Sequence, residues 1–533
     1  MSKDDILKKK WRPLALIILD GWGLSSVREG NACALADTPF FNELVDRYPS
    51  LTLAASGESV GLPKGAPGNS ETGHLTLGAG RVCRQGLELI KEAIADKSFF
   101  KNEVLLEAVK RVKKNNSSLH LMGLIADDGT HANQEYLLAL LQLAKRKKVE
   151  RVFVHVFLDG RDTARDQGLT SVRQLEAAMK TLGVGEVASI TGRRYALDQN
   201  RHWSRVAKAY AALVEGSGDR SGEAVKAIQK SYESDIYDEE FLPTVIVDKT
   251  NRPKGLIGDN DAVVFFNFRA DRSRQLAKAF LDPSFKSFKA KKFKNLFFAT
   301  FVEYEKDLRA AVVFPKEVIA DGLGEAIARA GLKQLRVAET EKFAHVTYFF
   351  NGEVEEPLAN EERLLIPSPR VNNYAKAPAM ATPAITKQVV AKIEEANFDF
   401  MVLNLANLDM VGHTGDLEAA KQAAVSVDEA LRKIIKKLLE AGGLAVIVAD
   451  HGNAENMINL NLGTVVKEHT ANPVPFVVVA NGLEGYNLGI GDTTSANMAV
   501  VKPSGALSDV APTILKLLGL PIPDKMTGRP LIV

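Results

Sequence analysis

Seven side chains in this sequence have the types and spacing to hold metal ions and activate a hydroxyl. Asp20 directly follows the apolar run LALIIL, and Asp450-His451 directly follow the run LAVIVA. Asp409 and His413 are spaced i, i+4 in LDMVGHTGD, which on a helical turn puts both on one face, although Gly412 and Gly415 suit a loop. His469 lies in KEHTANPVPF, and Ser70 in GLPKGAPGNSETGHLTLGAG ahead of an apolar stretch. Each has a plainer reading alone: Asp20-Gly21 suits a turn, Ser70 suits a helix N-cap, and a lone His469 suits a surface loop. Together they supply three aspartates, three histidines and one serine. Oxygen and imidazole donors without thiolate describe a catalytic two-metal site rather than a structural zinc site. Two metals roughly 3.5–4 Å apart stabilise the attacking and leaving oxygens of a phosphoryl transfer. A serine at a helix start sits where backbone N–H groups face an incoming anion, so Ser70 reads as the nucleophile.

A second set lies between Ser70 and Asp409. Arg161, Arg193, Arg269 and Arg272 each stand just past an apolar run. The planar guanidinium fork suits bidentate capture of carboxylate and phosphate. Any one of them alone reads as well as a surface arginine. Lys342, taken alone, pairs as readily with Glu339.

The elements that position these residues follow from a recurring unit, a short apolar run that stops at a polar or glycine-bearing turn. Leu14–Leu19, Val152–Leu158, Val263–Phe268, Met401–Leu405 and Leu444–Ala449 are such runs. They read as parallel strands buried on both faces. Amphipathic helices fall between them, the clearest over Ser426–Leu439, where Ser426 and Glu429 form a capping box and Val427, Leu431, Ile434, Ile435 and Leu438 one stripe. The pattern predicts an α/β architecture with ligands beyond the carboxyl ends of the strands. The 533 residues suffice for two large domains, and 46% hydrophobic with 25% charged residues is a globular composition. With 68 basic and 66 acidic residues, net charge +2, no global field points to nucleic acid or a membrane surface. The basic run Lys286 to Lys294 (KSFKAKKFK) reads as a solvated face. Cys33 and Cys83 form no disulfide framework, no apolar stretch approaches about 20 residues, and the run before Asp20 is too short for a leader. A cytoplasmic protein is expected.

The strings LDGWG, GNSETGHLTLGAGR, DGRDT, FFNFRADRSRQ, AETEKFAHVTYFFNG, MVGHTGD, ADHGNAE and HTANPVPF resemble, in order, the signatures of cofactor-independent phosphoglycerate mutases of the alkaline phosphatase superfamily. The likeness runs from Leu14 to the C-terminal MTGRPLIV. It implies interconversion of 3- and 2-phosphoglycerate in glycolysis and gluconeogenesis, through a phosphoserine at a two-metal site and without bisphosphoglycerate. It implies an alkaline-phosphatase-like α/β core domain, residues 1–84 plus 317–533, with a second α/β substrate-binding domain, residues 85–316, inserted. Carried over residue by residue, Asp409, His413 and His469 would bind one divalent ion, and Asp20, Ser70, Asp450 and His451 the other. Manganese is the expected metal. Ser70 would be the nucleophile, Asp162 a second catalytic group, and His131, Arg161, Asp162, Arg193, Arg269, Arg272 and Lys342 the substrate contacts. A monomer with a small-molecule substrate is implied. The nearest rivals are a related phosphopentomutase or phosphatase, which would share the metal residues but not the DGRDT and NFRADRSRQ loops, and a non-catalytic binding protein. The sequence departs from the family at Gln199, where an arginine is usual and Arg194 or Arg201 is the candidate replacement, and at Ala132, Asn133, Leu405 and Leu408.

Overall fold

A computed structural model of the chain describes residues 10–84, 86–126, 131–316, 318–486, 494–495 and 497–532. The expected boundary positions Gln85 and Glu317, and the first four residues of DDGTHANQEY, lie outside the described residues. The chain divides into two compact units, Met1–Gln85 with Val318–Val533, and Gly86–Glu317. Each is built on its own eight-stranded sheet.

In the first unit the sheet order is Glu361–Ile366, Gln334–Glu339, Phe400–Leu405, Leu14–Leu19, Leu444–Val448, Val474–Ala480, Ser50–Ala54 and Gly505–Ala506. The first five run parallel, with Leu14 in register with Phe400 on one side and Leu444 on the other. Val474–Ala480 enters antiparallel. All six residues of LALIIL are buried, as a central parallel strand covered on both faces requires. Each leucine and isoleucine among them contributes about 1.5–3 kcal/mol on burial.

The helix expected over Ser426–Leu439 is longer, Leu417–Glu440, and is capped by Asp416, whose Oδ1 accepts from the Ala419 N–H at 3.0 Å. Ser426 therefore lies mid-helix and caps nothing. The apolar stripe continues back through buried Ala419, Ala420, Ala423 and Ala424. Alanine is a strong helix former with little side chain to mark a hydrophobic face, so the first two turns were hidden in the pattern.

In the second unit the order is Ala311–Val312, Phe297–Thr300, Ala262–Phe265, Leu119–Leu124, Val152–Leu158, Glu186–Gly192, Thr244–Ile246 and Asp219–Ser221. Only the pairing of Glu186–Gly192 with Thr244–Ile246 is antiparallel. The strand expected over Val263–Phe268 ends at Phe265. The buried Asn267 side chain accepts from the Leu124 N–H at 2.9 Å and takes the place of the next ladder bond. The lysines of the 286–294 run are exposed, while Phe288 and Phe293 pack on Tyr210 and Phe280. No described helix is long and apolar enough to cross a membrane.

Candidate active site

Parallel strands deliver their C-terminal ends to one edge of a sheet, and this brings the scattered acids of the first unit together. Asp20 follows Leu14–Leu19, Asp409 follows Phe400–Leu405, Asp450-His451 follow Leu444–Val448, and Lys342 follows Gln334–Glu339. Asp409 lies in the short helix Asn407–Gly412 with His413 as its C-cap, so the i, i+4 pair sits on a helical turn rather than a loop. The Asp20 carbonyl accepts from the Asp409 N–H at 3.1 Å. Between them Gly21 has φ +78°, and a Cβ there would lie 2.6 Å from the Asp409 nitrogen. Only glycine fits.

Ser70 begins the helix Ser70–Ala79 as its first residue. The cap is Asn69, whose Oδ1 accepts from the Thr72 N–H at 2.9 Å. The expected N-cap serine is thus displaced by one position, because asparagine reaches the same backbone donor and leaves the serine hydroxyl free for other partners. Ser70 Oγ lies 2.9 Å from His451 Nε2, 3.5 Å from Asp20 Oδ1 and 2.7 Å from Lys342 Nζ. Lys342 is buried and extends its ammonium to Asp20 Oδ1 at 2.7 Å and Asp409 Oδ2 at 2.6 Å. Its pKa is raised, since the three neighbouring aspartates overcome the effect of burial. Burial opposes the charge on Asp409, but Lys342 and the bonds to His413 and His469 hold its carboxyl well below the usual range. Burial and the facing Asp450 push Asp20 up.

The donor set fits divalent cations. One ligand atom each from Asp20, Asp450 and His451 falls within 4.8 Å of the others, and likewise from Asp409, His451 and His469. Asp450 Oδ2 is buried without a hydrogen bond among the described residues, although His74 Nδ1, which bonds the Ser70 carbonyl, stands 3.2 Å away. His413 Nδ1 faces the Lys467 carbonyl at 2.7 Å and His469 Nδ1 the Gly68 carbonyl at 2.9 Å. A carbonyl only accepts, so each Nδ1 carries the proton and each Nε2 presents a lone pair. Those two Nε2 atoms lie 3.0 Å apart, and 3.3 and 3.0 Å from Asp409 Oδ1. Lone pairs converging on a carboxylate call for a cation. The same carboxylate also favours a second proton at Nε2, so both histidines have raised pKa values, His413 through the bond its protonated ring makes to Asp409, and His469 because that carboxylate overcomes burial.

The second unit gathers the other set at the C-terminal edge of its sheet. His131 follows Leu119–Leu124, Asp159, Arg161 and Asp162 follow Val152–Leu158, and Arg193 follows Glu186–Gly192. Arg269 is the N-cap residue of the helix Ala270–Leu281, and Arg272 lies in its first turn. Buried Arg193 bonds Asp159, donates to Asp162 Oδ2 at 2.6 Å, and meets His131 Nε2 at 3.1 Å. Burial and the Arg193 charge lower the pKa of His131, so its Nε2 accepts from Arg193. Its buried Nδ1 is then a donor without a partner among the described residues. Burial works against ionised Asp162, yet its bond to Arg193 lowers its pKa overall. Arg161 pairs with Glu239. A cavity of 410 Å³ is lined by Arg161, Arg193, Arg194, Gln199, Arg205 and Arg272, among others. Burial, then Arg193 and Arg161, depress the pKa of Arg272, the mark of crowded positive charge. Arg269 is not among the residues lining that cavity.

Comparison with known proteins decides the family. A family model described as the BPG-independent PGAM N-terminus (iPGM_N) matches residues 90–306. A 2,3-bisphosphoglycerate-independent phosphoglycerate mutase of Clostridium perfringens (strain SM101 / Type A) is 46% identical over 522 residues, covering 98% of this chain and 99% of its own. The protein of the same name from Chloroflexus aurantiacus is 45% identical, again over 98% and 99%. The chain belongs to the 2,3-bisphosphoglycerate-independent phosphoglycerate mutases. A crystal structure of the Leishmania mexicana phosphoglycerate mutase at low cobalt concentration shares the fold, with 30% identity, a TM-score of 0.59 and 97% of each chain covered.

Within this mutase chain the seven metal-type residues converge in one unit with Lys342, while His131, Arg161, Asp162 and Arg193 converge in the other. Of the two candidates to replace the family arginine at Gln199, Arg194 lines the cavity, 3.3 Å from Glu240, and Arg201 does not. Arg205 lines it as well and was not anticipated. Sequence reasoning also missed His74, Asn404 and Asn453, which contact the metal-type aspartates. The signals were present: His74 is one helical turn beyond Ser70, and Asn404 interrupts an otherwise apolar buried strand.

Proposed function

We propose that this chain interconverts 3- and 2-phosphoglycerate by passing the phosphoryl group through Ser70, with two divalent ions and without bisphosphoglycerate. The observation that carries this reading is the placement of the Ser70 hydroxyl at a helix N-terminus within 3.5 Å of Asp20, His451 and Lys342. Asp409, His413 and His469 would hold one ion, and Asp20, Ser70, Asp450 and His451 the other, with His451 near enough to serve both groups. When bound, such ions supply Lewis-acid charge that favours the serine alkoxide and offsets the charge of the phosphoryl oxygens. Manganese is the proposed ion, since aspartate and imidazole suit it and thiolate is absent.

Ser70 Oγ attacks phosphorus as the bond from phosphorus to the substrate oxygen breaks, and its proton ends on the glycerate hydroxyl released. Glycerate is held, turned, and takes the phosphoryl group back on its other hydroxyl. Lys342 donates to Ser70 Oγ and steadies negative charge there. Arg161, Arg193, Arg269 and Arg272 bind carboxylate and phosphate. The free Nδ1–H of His131 donates to a substrate oxygen, and ionised Asp162 accepts from the glycerate hydroxyls and helps move their proton. The protein is proposed to act as a monomer, and Cys33 and Cys83, neither of them in a disulfide, suit a reducing cytoplasm.

The test is rapid quenching of the manganese-loaded protein with 3-phosphoglycerate, followed by mass spectrometry of the Ser70 peptide. A phosphorylated Ser70 and 2-phosphoglycerate formed without added bisphosphoglycerate are expected. Turnover that begins only when bisphosphoglycerate is supplied would overturn the reading.

A further inference from the structure

Asn404 is a fully buried amide in the strand FMVLNL, whose other residues are apolar. Burying an amide is unfavourable unless it is bonded, and the bonds it makes define a device. Its Nδ2 donates to Asp20 Oδ2 at 2.7 Å and lies 3.0 Å from His74 Nε2. A carboxylate oxygen accepts, so the amide nitrogen and not its oxygen faces Asp20, and its second hydrogen faces His74. His74 Nε2 is therefore the accepting nitrogen, and the ring proton sits on Nδ1. That atom lies 2.9 Å from the Ser70 carbonyl oxygen and 3.2 Å from Asp450 Oδ2. His74 reaches Ser70 because it lies four residues on in the same helix, on the same face. Asn404 Oδ1 has no partner among the described residues, so the amide nitrogen makes all of the side chain's bonds.

We infer that Asn404 and His74 form a positioning bridge that joins Asp20 to the backbone of Ser70 and seats the His74 ring beside Asp450. Resting on the reading that Asp20 and Asp450 bind metal, the bridge has two effects. Occupying Asp20 Oδ2 turns Oδ1 toward Ser70 Oγ and Lys342, where it lies 3.5 and 2.7 Å away. Committing both ring nitrogens of His74 keeps that histidine from competing as a ligand, although it stands among the carboxylates. Partners of this kind, which fix the orientation of a metal ligand, typically change affinity by about ten- to a hundredfold when removed.

Three measurements test the bridge. In metal-stripped protein, titration with manganese should show Asn404→Leu binding about ten- to a hundredfold more weakly than wild type. The melting midpoint of the stripped protein should fall, because leucine leaves Asp20 Oδ2 and His74 Nε2 buried without their donor, so affinity is read on protein shown to be folded by circular dichroism. At saturating manganese KM should be unchanged. If Asn404→Leu does not fold, the pair His74→Leu and His74→Gln decides: glutamine keeps one donor and one acceptor and should restore most of the affinity that leucine loses. Nitrogen-15 spectra of the histidine rings in stripped wild-type protein should show His74 protonated at Nδ1 and bare at Nε2. Wild-type manganese affinity in folded Asn404→Leu, equal affinity in the two His74 variants, or a proton on Nε2 would each overturn the bridge. Wild-type protein that binds no manganese at all would instead overturn the metal reading on which it rests.

Discussion

Ser70 is the proposed phosphoryl carrier, and its neighbours explain why one atom should matter so much. Its Oγ touches an imidazole, an ammonium and a carboxylate in a buried setting, so on the proposed mechanism its removal deletes the nucleophile and a metal contact together. Ser70→Ala should lower kcat/KM by at least about a thousandfold while leaving the fold intact, measured with 3-phosphoglycerate under saturating manganese. Turnover within tenfold of wild type would assign the phosphoryl carrier elsewhere. Glu339, three residues before Lys342, makes a different prediction. Burial pushes its carboxyl up to about 7. The folded state then holds the proton more tightly than the unfolded chain, so this group's stabilisation is complete below about pH 4.5 and is lost as pH rises through 7. The total is on the order of 3 kcal/mol. Glu339→Gln should therefore gain stability relative to wild type between pH 5 and pH 8 in urea melts. A difference that is flat with pH would contradict it.

At the scale of elements, the site depends on how closely the helix Ser70–Ala79 approaches the strand end at Asp450. A Cβ at Gly73 would stand 2.7 Å from the Asp450 carbonyl oxygen and 2.9 Å from its Cβ. Gly73→Ala must push helix and strand apart, at a cost of about 1–3 kcal/mol. Because Ser70 and Asp450 sit on the two parts displaced, activity should fall by more than the loss of stability explains. Assay and thermal melt of the same sample would show this, and activity that merely tracks the folded fraction would refute it. Asn69→Ala, by contrast, removes only the cap and should cost about 1 kcal/mol. These positions also show what the sequence made legible. The strands Leu14–Leu19 and Val152–Leu158 fall where the apolar runs begin and end, since burial on both faces makes nearly every residue apolar, His155 being the one exception. The long helix before Gly442 was half hidden because its first turns are packed by alanine, and Val263–Phe268 ended early because Asn267 took over a ladder bond.

Over the whole molecule, two charge systems lie in two units, aspartate and histidine in one and arginine in the other. Exhaustive chelation should abolish activity, and manganese should restore it; full activity in protein shown metal-free by elemental analysis would remove the two-metal reading. In the proposed mechanism the arginines bear on why the protein is a mutase. A phosphoserine exposed to water would be hydrolysed unless glycerate were retained. Losing one charge-assisted contact should cost about 1.5–3 kcal/mol, so Arg269→Ala should depress turnover and raise the inorganic phosphate released per 2-phosphoglycerate formed. A ratio that stays at the wild-type value while both rates fall would mean that Arg269 binds substrate but does not protect the intermediate.

The sequence by itself determined the chemical inventory: which residues carry acid, imidazole, hydroxyl and guanidinium, and which apolar runs become strands. It did so because strand and helix periods, and the side-chain types that follow them, are local properties of the chain. Tertiary structure alone decided the partnerships. Asp20 and Asp409 are 389 positions apart in a chain of 533, and they meet because parallel pairing sets Leu14–Leu19 beside Phe400–Leu405 with their carboxyl ends together. The same pairing brings Asn404 against Asp20 and His74, and burial there removes the water that would otherwise satisfy each group. Once water is gone most polar atoms must find a protein partner or an ion, and that requirement, invisible in a linear sequence, fixes the tautomer of His74, the aim of Lys342 and the shape of the site.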